Sequence, residues 1–362
     1  MTLLIQSPSK YIQRKGAIKD IAKYSALLGK KGAYIIVTKS ILQMYRSLLE
    51  EQFKTANFNF FIDNFNGECC QEDVDEITKQ LSEKNCDVVV GIGGGKVMDT
   101  AKAVAYFADT PTLIVPTIAS SDAPCSALSV LYKKDHTFDK YLWLKRNPDT
   151  VLVDTEIIAN APVRFLIAGV GDALATFYEA RACSASRKAT PAGGITGVSA
   201  MALATACRDS LFADAFKAIQ AVHDHTISQA VENIIETNTY LSGIGFESGG
   251  LAAAHAFHNG LTIVPETGKM LHGEKVAFGV LVHLVLENAD EEEIREVIEF
   301  CRKVGLPTNL KSLGIETIDR AVIRKVAELT CAEGESVYNM PFPVNADLVE
   351  SAILVADRLG SL

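Results

Sequence analysis

The sequence predicts an α/β N-terminal half built on a parallel sheet, followed by an all-α C-terminal half. Short apolar runs alternate with helical patterns over residues 1–161, the texture of strands joined by helical crossovers. After Pro162 the β-branched runs thin out, and Ala, Leu and Glu recur at helical spacing. A length of 362 residues agrees with two domains at roughly 100–200 residues each, divided as 1–161 and 162–362.

The elements follow in order. Residues 34–37 (Tyr-Ile-Ile-Val) read as a buried strand, and residues 87–90 as a second, just before a run of glycines. Residues 113–115, bounded by Pro111 and Pro116, make a third, and residues 151–153 a fourth. Helical patterns cover residues 72–83 and 97–107. Leu128–Tyr132 and residues 140–144 flank the polar stretch Lys133-Lys134-Asp135-His136, which suggests a hairpin near the sheet's edge. In the second half, residues 290–303 place Ile294, Val297, Ile298 and Cys301 on one helical face, with Asp290 and Glu293 as a start signal. Residues 213–237 and 345–359 also read as helices. The apolar stretch 276–286 is too short to span a membrane and contains His283, so it reads as a buried helix.

Composition narrows the function. With 48% hydrophobic residues the chain is not intrinsically disordered, and a net charge of −9 gives no basic footprint for nucleic acid or anionic membrane. A small neutral or polar substrate fits this balance. The N-terminus lacks the apolar core and cleavage site of a signal peptide, and the eight cysteines are scattered without a CxxC pair. A reduced, cytoplasmic setting without a disulfide framework is expected.

Three stretches carry chemistry. Val90-Gly91-Ile92-Gly93-Gly94-Gly95-Lys96 lies between a predicted strand and a predicted helix. It is not the GxGxxG fingerprint, because Lys96 stands where the third glycine belongs. Backbone N–H groups at a helix start nonetheless suit a diphosphate, which makes Gly94, Gly95 and Lys96 candidate contacts. The competing explanation is a tight turn that needs positive φ. Asp99 belongs to the same stretch, but its charge favours supporting the turn over touching phosphate. In the loop after residue 116, Thr117, Ser120 and Ser126 are candidate dinucleotide donors, and Asp122 is a candidate for orienting a hydroxylated substrate. A polar turn with Asx and Ser caps explains that loop equally well.

The third feature is a set of polar groups among small apolar residues: Asp172 in GVGDALA, His255 in LAAAHAF, and His272 at the start of HGEKVAFG. Burying such groups unpaired costs about 1–3 kcal/mol each, and a divalent metal would satisfy all three. Two imidazoles and a carboxylate leave coordination positions open, as in catalytic zinc sites. A helix start also disfavours protonation of His272. Taken singly, His255 or His272 is more simply explained as a core histidine with a satisfied hydrogen bond, and spacing alone does not reveal a site; His223, His225, His258 and His283 read as structural.

The blocks GIGGGKVMDTAK, VPTIASSDAPCSALSVLY, AGVGDALATFYEARAC, NTYLSGIGFESGGLAAAHAFHNGLT, HGEKVAFG and CAEGESVYNMP together resemble the glycerol branch of the iron-containing alcohol dehydrogenase superfamily, over nearly the whole chain. The superfamily also includes glycerol-1-phosphate dehydrogenases and dehydroquinate synthases. The resemblance implies an N-terminal NAD-binding domain, a helical metal-binding domain and an active site in the cleft between them. It implies zinc on Asp172, His255 and His272, which also places these three at the substrate. NAD contacts fall on Gly94, Gly95, Lys96, Thr117, Ser120, Ser126, Leu128 and Tyr132, and a polyol contact of catalytic importance on Asp122. It further implies reversible oxidation of glycerol and other vicinal diols, with hydride passing to the nicotinamide and zinc stabilising the alkoxide, in a large homo-oligomer. Thr176 stands where iron-dependent relatives carry another histidine, which favours zinc. Thr38, followed by Lys39, replaces the acidic residue the family usually has after the first of the predicted strands, so NADP use is open alongside NAD. A glycerol-1-phosphate dehydrogenase or a dehydroquinate synthase should show cations around a substrate phosphate. The loop SSDAPCSALS has none, and near the trio only Lys269, Lys275 and Arg181 offer themselves. A non-catalytic relative of the fold is the remaining alternative, and the intact trio and glycine run count against it.

Overall fold

The computed structural model describes residues 2–135 and 137–362; His136, in the polar stretch of the expected hairpin, lies outside the described residues. The chain divides into two compact units. One comprises Gln6–Ala119 and Ala123–Ala161; the other comprises Pro162–Leu362 with Ser120–Asp122 and the N-terminal residues 2–5.

In the first unit the order is β1 (Lys10–Arg14), α1 (Ile21–Leu28), β2 (Gly32–Thr38), α2 (Lys39–Thr55), β3 (Asn59–Phe65), α3 (Gln71–Glu83), β4 (Val88–Gly93) and α4 (Gly95–Ala108). Then come β5 (Thr112–Pro116), β6 (Leu128–Tyr132), β7 (Phe138–Trp143), β8 (Thr150–Asp154) and α5 (Thr155–Ala159). Six strands form one sheet in the order β1-β8-β5-β4-β2-β3, and every pairing in it is parallel. The inner strands are buried on both faces, which is why they read as unbroken apolar runs. Ile35, Val37, Val90, Ile92 and Val115 pack in one core with Ile21 of α1 and Leu49 and Phe53 of α2. Each such buried side chain contributes about 1.5–3 kcal/mol.

The edge strands β1 (KYIQR) and β3 (NFFIDNF) escape the sequence reading because an edge is only half buried and tolerates polar residues. The hairpin β6–β7 forms a separate antiparallel pair and not an extension of the main sheet. It is strapped to α4 instead, Ser129 Oγ donating to the Asp99 carbonyl at 3.0 Å and Val130 N–H to the Asp99 carboxylate at 3.2 Å. Chain order changes direction at β2, with β3 on one side and β4 on the other. The carboxyl ends of β2 and β4 therefore form a topological switch point, the place where open α/β sheets take ligands.

The second unit is helical: α6 (Val163–Ser186), α7 (Val198–His223), α8 (Gln229–Glu236), α9 (Ser242–Gly249), α10 (Ala253–Leu261), α11 (His272–Leu286), α12 (Glu291–Val304), α13 (Arg320–Thr330) and α14 (Ala346–Gly360). The helix expected over 213–237 is two helices. His225 takes φ +50° and Ser228 caps α8 by accepting from Val231 N–H, so the chain turns between them. Asp290 precedes α12 without capping it through its side chain; Glu291, Glu292 and Glu293 in the first turn supply the favourable charge instead. Helix α11 is buried along most of its length, as its composition predicts. Among the described residues no helix is long and apolar enough to cross a membrane.

Candidate functional site

The glycine run forms the turn from β4 into α4, and none of Gly91, Gly93, Gly94 and Gly95 has a positive φ. The explanation by left-handed backbone therefore fails. What matters is the missing side chain. A Cβ on Gly91 would lie 2.7 Å from the Ala101 Cβ, and one on Gly93 would lie 2.8 Å from the Val97 Cβ, so both let α4 seat on β4. A Cβ on Gly95 would meet nothing within 4 Å, leaving the N-terminus of α4 open to an anion. Lys96 is largely exposed and pairs with the buried Glu68 at 2.5 Å. Beside it, at the switch point, a cleft of about 400 Å³ is lined by Thr38, Lys39, Ser40, Gln43, Phe65, Asn66, Gly67, Lys96 and Val97.

Asp99 lies in the second turn of α4 and faces inward. Its carboxylate pairs with the fully buried Lys102 ammonium at 3.0 Å. Lys102 also donates to the carbonyls of Ala123, at 2.9 Å, and Leu128, so one buried ion pair bolts the segment 123–128 to α4. Asp99 is thus a support for this loop. Thr117 is buried with its N–H on the Gly93 carbonyl, Ser126 Oγ donates to the Ala123 carbonyl, and Tyr132 N–H donates to the Cys69 carbonyl. Burial, with Asp99 nearby, pushes the Tyr132 hydroxyl up to about 12. Ser120 and Asp122 group with the helical unit.

In that unit Asp172, His255 and His272 converge: one ligand atom from each lies within 4.8 Å of the others. Asp172 Oδ1 is 3.1 Å from His272 Nε2 and 3.4 Å from His255 Nε2. Two ligand atoms at tetrahedral angles on a zinc, each about 2.0–2.1 Å from it, stand about 3.4 Å apart. The other oxygen, Oδ2, accepts the Asp122 N–H at 3.1 Å.

Glycines make this convergence possible. A Cβ on Gly171 would sit 2.3 Å from the Gly273 carbonyl oxygen, and one on Gly273 only 1.8 Å from that of Ala168. Helices α6 and α11 therefore cross backbone to backbone beside Asp172 and His272. Gly279 plays the same part where α11 meets Ala254, next to His255. Gly250, at φ +105°, turns the chain from α9 towards α10. The first turn of α11 is clamped by Glu274, which accepts the Leu271 N–H at 2.7 Å and takes Arg164 in a two-pronged ion pair at 2.6 and 2.7 Å.

Two residues that the sequence does not assign to the site support the trio. Glu179, fully buried and two turns beyond Asp172 on α6, accepts His255 Nδ1–H at 2.6 Å and the N–H groups of Ala252 and His255. It holds the ring and caps α10 at once. His258, read as structural, lies with Nε2 3.1 Å from His272 Nδ1. The seven-residue spacing of Asp172 and Glu179 and the three-residue spacing of His255 and His258 are the sequence signals that would have found them.

Charge in the pocket follows from burial and neighbours. Burial pushes the Asp172 carboxyl up, but the His272 and His255 imidazoles outweigh it and hold it well below the carboxylate range. Burial likewise raises Glu179 and His255 overturns that, keeping Glu179 low. Burial disfavours charge on His255, yet Glu179 and Asp172 raise it well above an ordinary histidine. His258 is held well below the usual value by burial and by His272 and Lys275. Asp172 Oδ1 is buried and completes no hydrogen bond. With His255 Nδ1–H committed to Glu179, its Nε2 turns towards that oxygen, and the pocket calls for positive charge, which a divalent cation would supply. The donor set, the spacing and the open side left by His272, 41% exposed, fit a divalent cation with coordination positions left open.

Residues 8–155 match the family described as iron-containing alcohol dehydrogenase. The chain is 49% identical over 360 residues to the glycerol dehydrogenase of Escherichia coli O6:H1, covering 99% of this chain and 98% of that one. It is 46% identical to that of Thermotoga maritima, covering 98% and 97%. The crystal structure of glycerol dehydrogenase from Schizosaccharomyces pombe superposes with a TM-score of 0.96 at 36% identity, covering 99% of this chain and 91% of that one.

Proposed function

Because the chain belongs to the iron-containing alcohol dehydrogenase family, among its glycerol dehydrogenases, we propose that it oxidises glycerol reversibly to dihydroxyacetone with a nicotinamide dinucleotide. The observation that carries this reading is the convergence of Asp172, His255 and His272 beside a half-open face. Zinc held by these residues would supply Lewis acidity to the substrate hydroxyl. The chain's own residues do the rest. Asp172, His255 and His272 hold the cation, Glu179 and the helix crossings hold the rings, and Asp122, tied to Asp172 through its N–H, orients the diol. Thr176, one turn after Asp172, shares a hydrogen bond with Ser242 at 3.0 Å and offers no further imidazole, which favours zinc over iron.

The dinucleotide belongs to the α/β unit. Its diphosphate meets the N–H groups at Gly94, Gly95 and Lys96, with Thr117, Ser126, Leu128 and Tyr132 as further contacts of that unit and Asp99 beneath the loop; Ser120, a further contact by the resemblance, groups with the helical unit. Thr38 and Lys39 line the cleft at the switch point without a carboxylate between them, so a 2′-phosphate is not repelled and NADP is accepted alongside NAD.

Initial rates with NAD and NADP across glycerol, 1,2-propanediol and glycerol 1-phosphate test both parts. Turnover of the unphosphorylated diols with both cofactors is expected. Preference for glycerol 1-phosphate overturns the substrate, and a strong preference for NAD overturns the NADP reading. His255→Ala should lose zinc and turnover together; full activity without metal defeats the scheme.

A further inference from the structure

His272 is the exposed member of the trio, at 41% against 14% for His255 and 1% for Asp172. Glu179 holds His255, but among the described residues no carboxylate is bonded to His272 Nδ1. The atom facing that nitrogen is His258 Nε2, at 3.1 Å, with the two rings edge to face. His258 Nδ1 in turn lies 3.2 Å from Asn259 Oδ1, and the Asn259 amide donates to Glu335 Oε2 at 3.0 Å.

The roles along this chain follow from the last link. A carboxylate accepts, so Glu335 takes the Asn259 N–H and leaves the Asn259 carbonyl turned towards His258. A carbonyl also accepts, so His258 carries its hydrogen on Nδ1 and leaves its Nε2 with a lone pair, 3.1 Å from His272 Nδ1. A cation on His272 Nε2 requires the ring's hydrogen on Nδ1, where that lone pair receives it.

We propose that His258 is a positioning residue of the metal centre, accepting the His272 Nδ1–H bond and so fixing which nitrogen of this exposed ligand faces Asp172. Glu335 and Asn259 set the orientation of His258 from the far side. Glu179 braces one imidazole with a charge, and His258 braces the other with a neutral acceptor. The inference rests on the metal reading of the trio.

The test uses the full-length chain, with zinc affinity measured by competition with a chelating dye and cobalt(II) absorption recorded in parallel. His258→Phe keeps a ring without an acceptor, whereas His258→Gln places an amide oxygen near the Nε2 position. The Phe variant should bind zinc about 10–100-fold more weakly and shift the cobalt band, while the Gln variant stays within about threefold of the parent. Equal affinity in all three chains overturns the proposal. An equal loss in both variants overturns it too, because packing and not the hydrogen bond would then be responsible. Histidine ¹⁵N shifts of the zinc-loaded parent give a reading that needs no variant to fold. His258 must show hydrogen on Nδ1, and hydrogen on Nε2 refutes the assignment. A parent that takes up no zinc defeats the metal reading itself, and this is seen before any variant is made.

Discussion

At the scale of single residues, Glu179 shows how a buried charge is made useful. It is fully enclosed, a position that isolated carboxylates avoid, yet it receives three N–H groups from the start of α10, the His255 ring among them. Glu179→Gln keeps the shape and removes the charge, so zinc affinity should fall by about tenfold, measured by equilibrium dialysis. Unchanged affinity would mean that the ring is held by packing alone. Asp172, His255 and His272 were legible in the sequence because polar groups among alanines and glycines demand partners. Glu179 was not, because a glutamate in a helix is ordinarily solvated and its burial depends on where α10 begins.

At the scale of elements, the site is a set of helix crossings. Gly273→Ala would drive a Cβ to 1.8 Å from the Ala168 carbonyl oxygen, and a backbone atom cannot step aside as a side chain can. The expected cost is about 1–3 kcal/mol or more in denaturant unfolding, with loss of bound zinc; a stable, zinc-replete Gly273→Ala chain would show that the crossing has slack. In the α/β unit, Lys102→Met leaves Asp99 buried without its cation and frees the carbonyls of Ala123 and Leu128. Breaking such a pair typically costs about 3–5 kcal/mol, and the KM for the dinucleotide should rise as the 123–128 segment loosens. Parental stability in that variant would refute the brace. The inner strands and amphipathic helices could be read from periodicity. The edge strands β1 and β3 could not, since a half-buried edge carries polar residues that break the apolar run, and the break between α7 and α8 depends on a positive φ at His225 that the sequence does not announce.

At the scale of the whole molecule, proton and metal compete for one pocket. Asp172 and Glu179 are depressed, so their contribution is present above the ordinary carboxylate pKa of about 4 and is lost as pH falls through their folded values. His255 is raised, so its contribution is complete below about 6.5 and is lost as pH rises through its folded value. The metal-free chain should therefore be most stable on the acid side of neutral. On the proposed zinc reading the metal takes the place of the proton, so the rise in Tm on adding zinc should widen from pH 6 to pH 9. At 100 times its Kd the metal contributes about 2.7 kcal/mol; a Tm gap that narrows with pH contradicts this account. The amino-acid sequence by itself determined the two-part architecture, the inner strands, the glycine-rich turn and the candidate ligands, because periodicity, chain direction and the cost of burying polar groups are written locally. Only the tertiary structure decided what the glycines are for, which carboxylate holds His255, and that His258 faces His272. Those depend on contacts between helices as much as 105 residues apart, as Ala168 and Gly273 are, and a contact at that distance leaves no local trace in either segment.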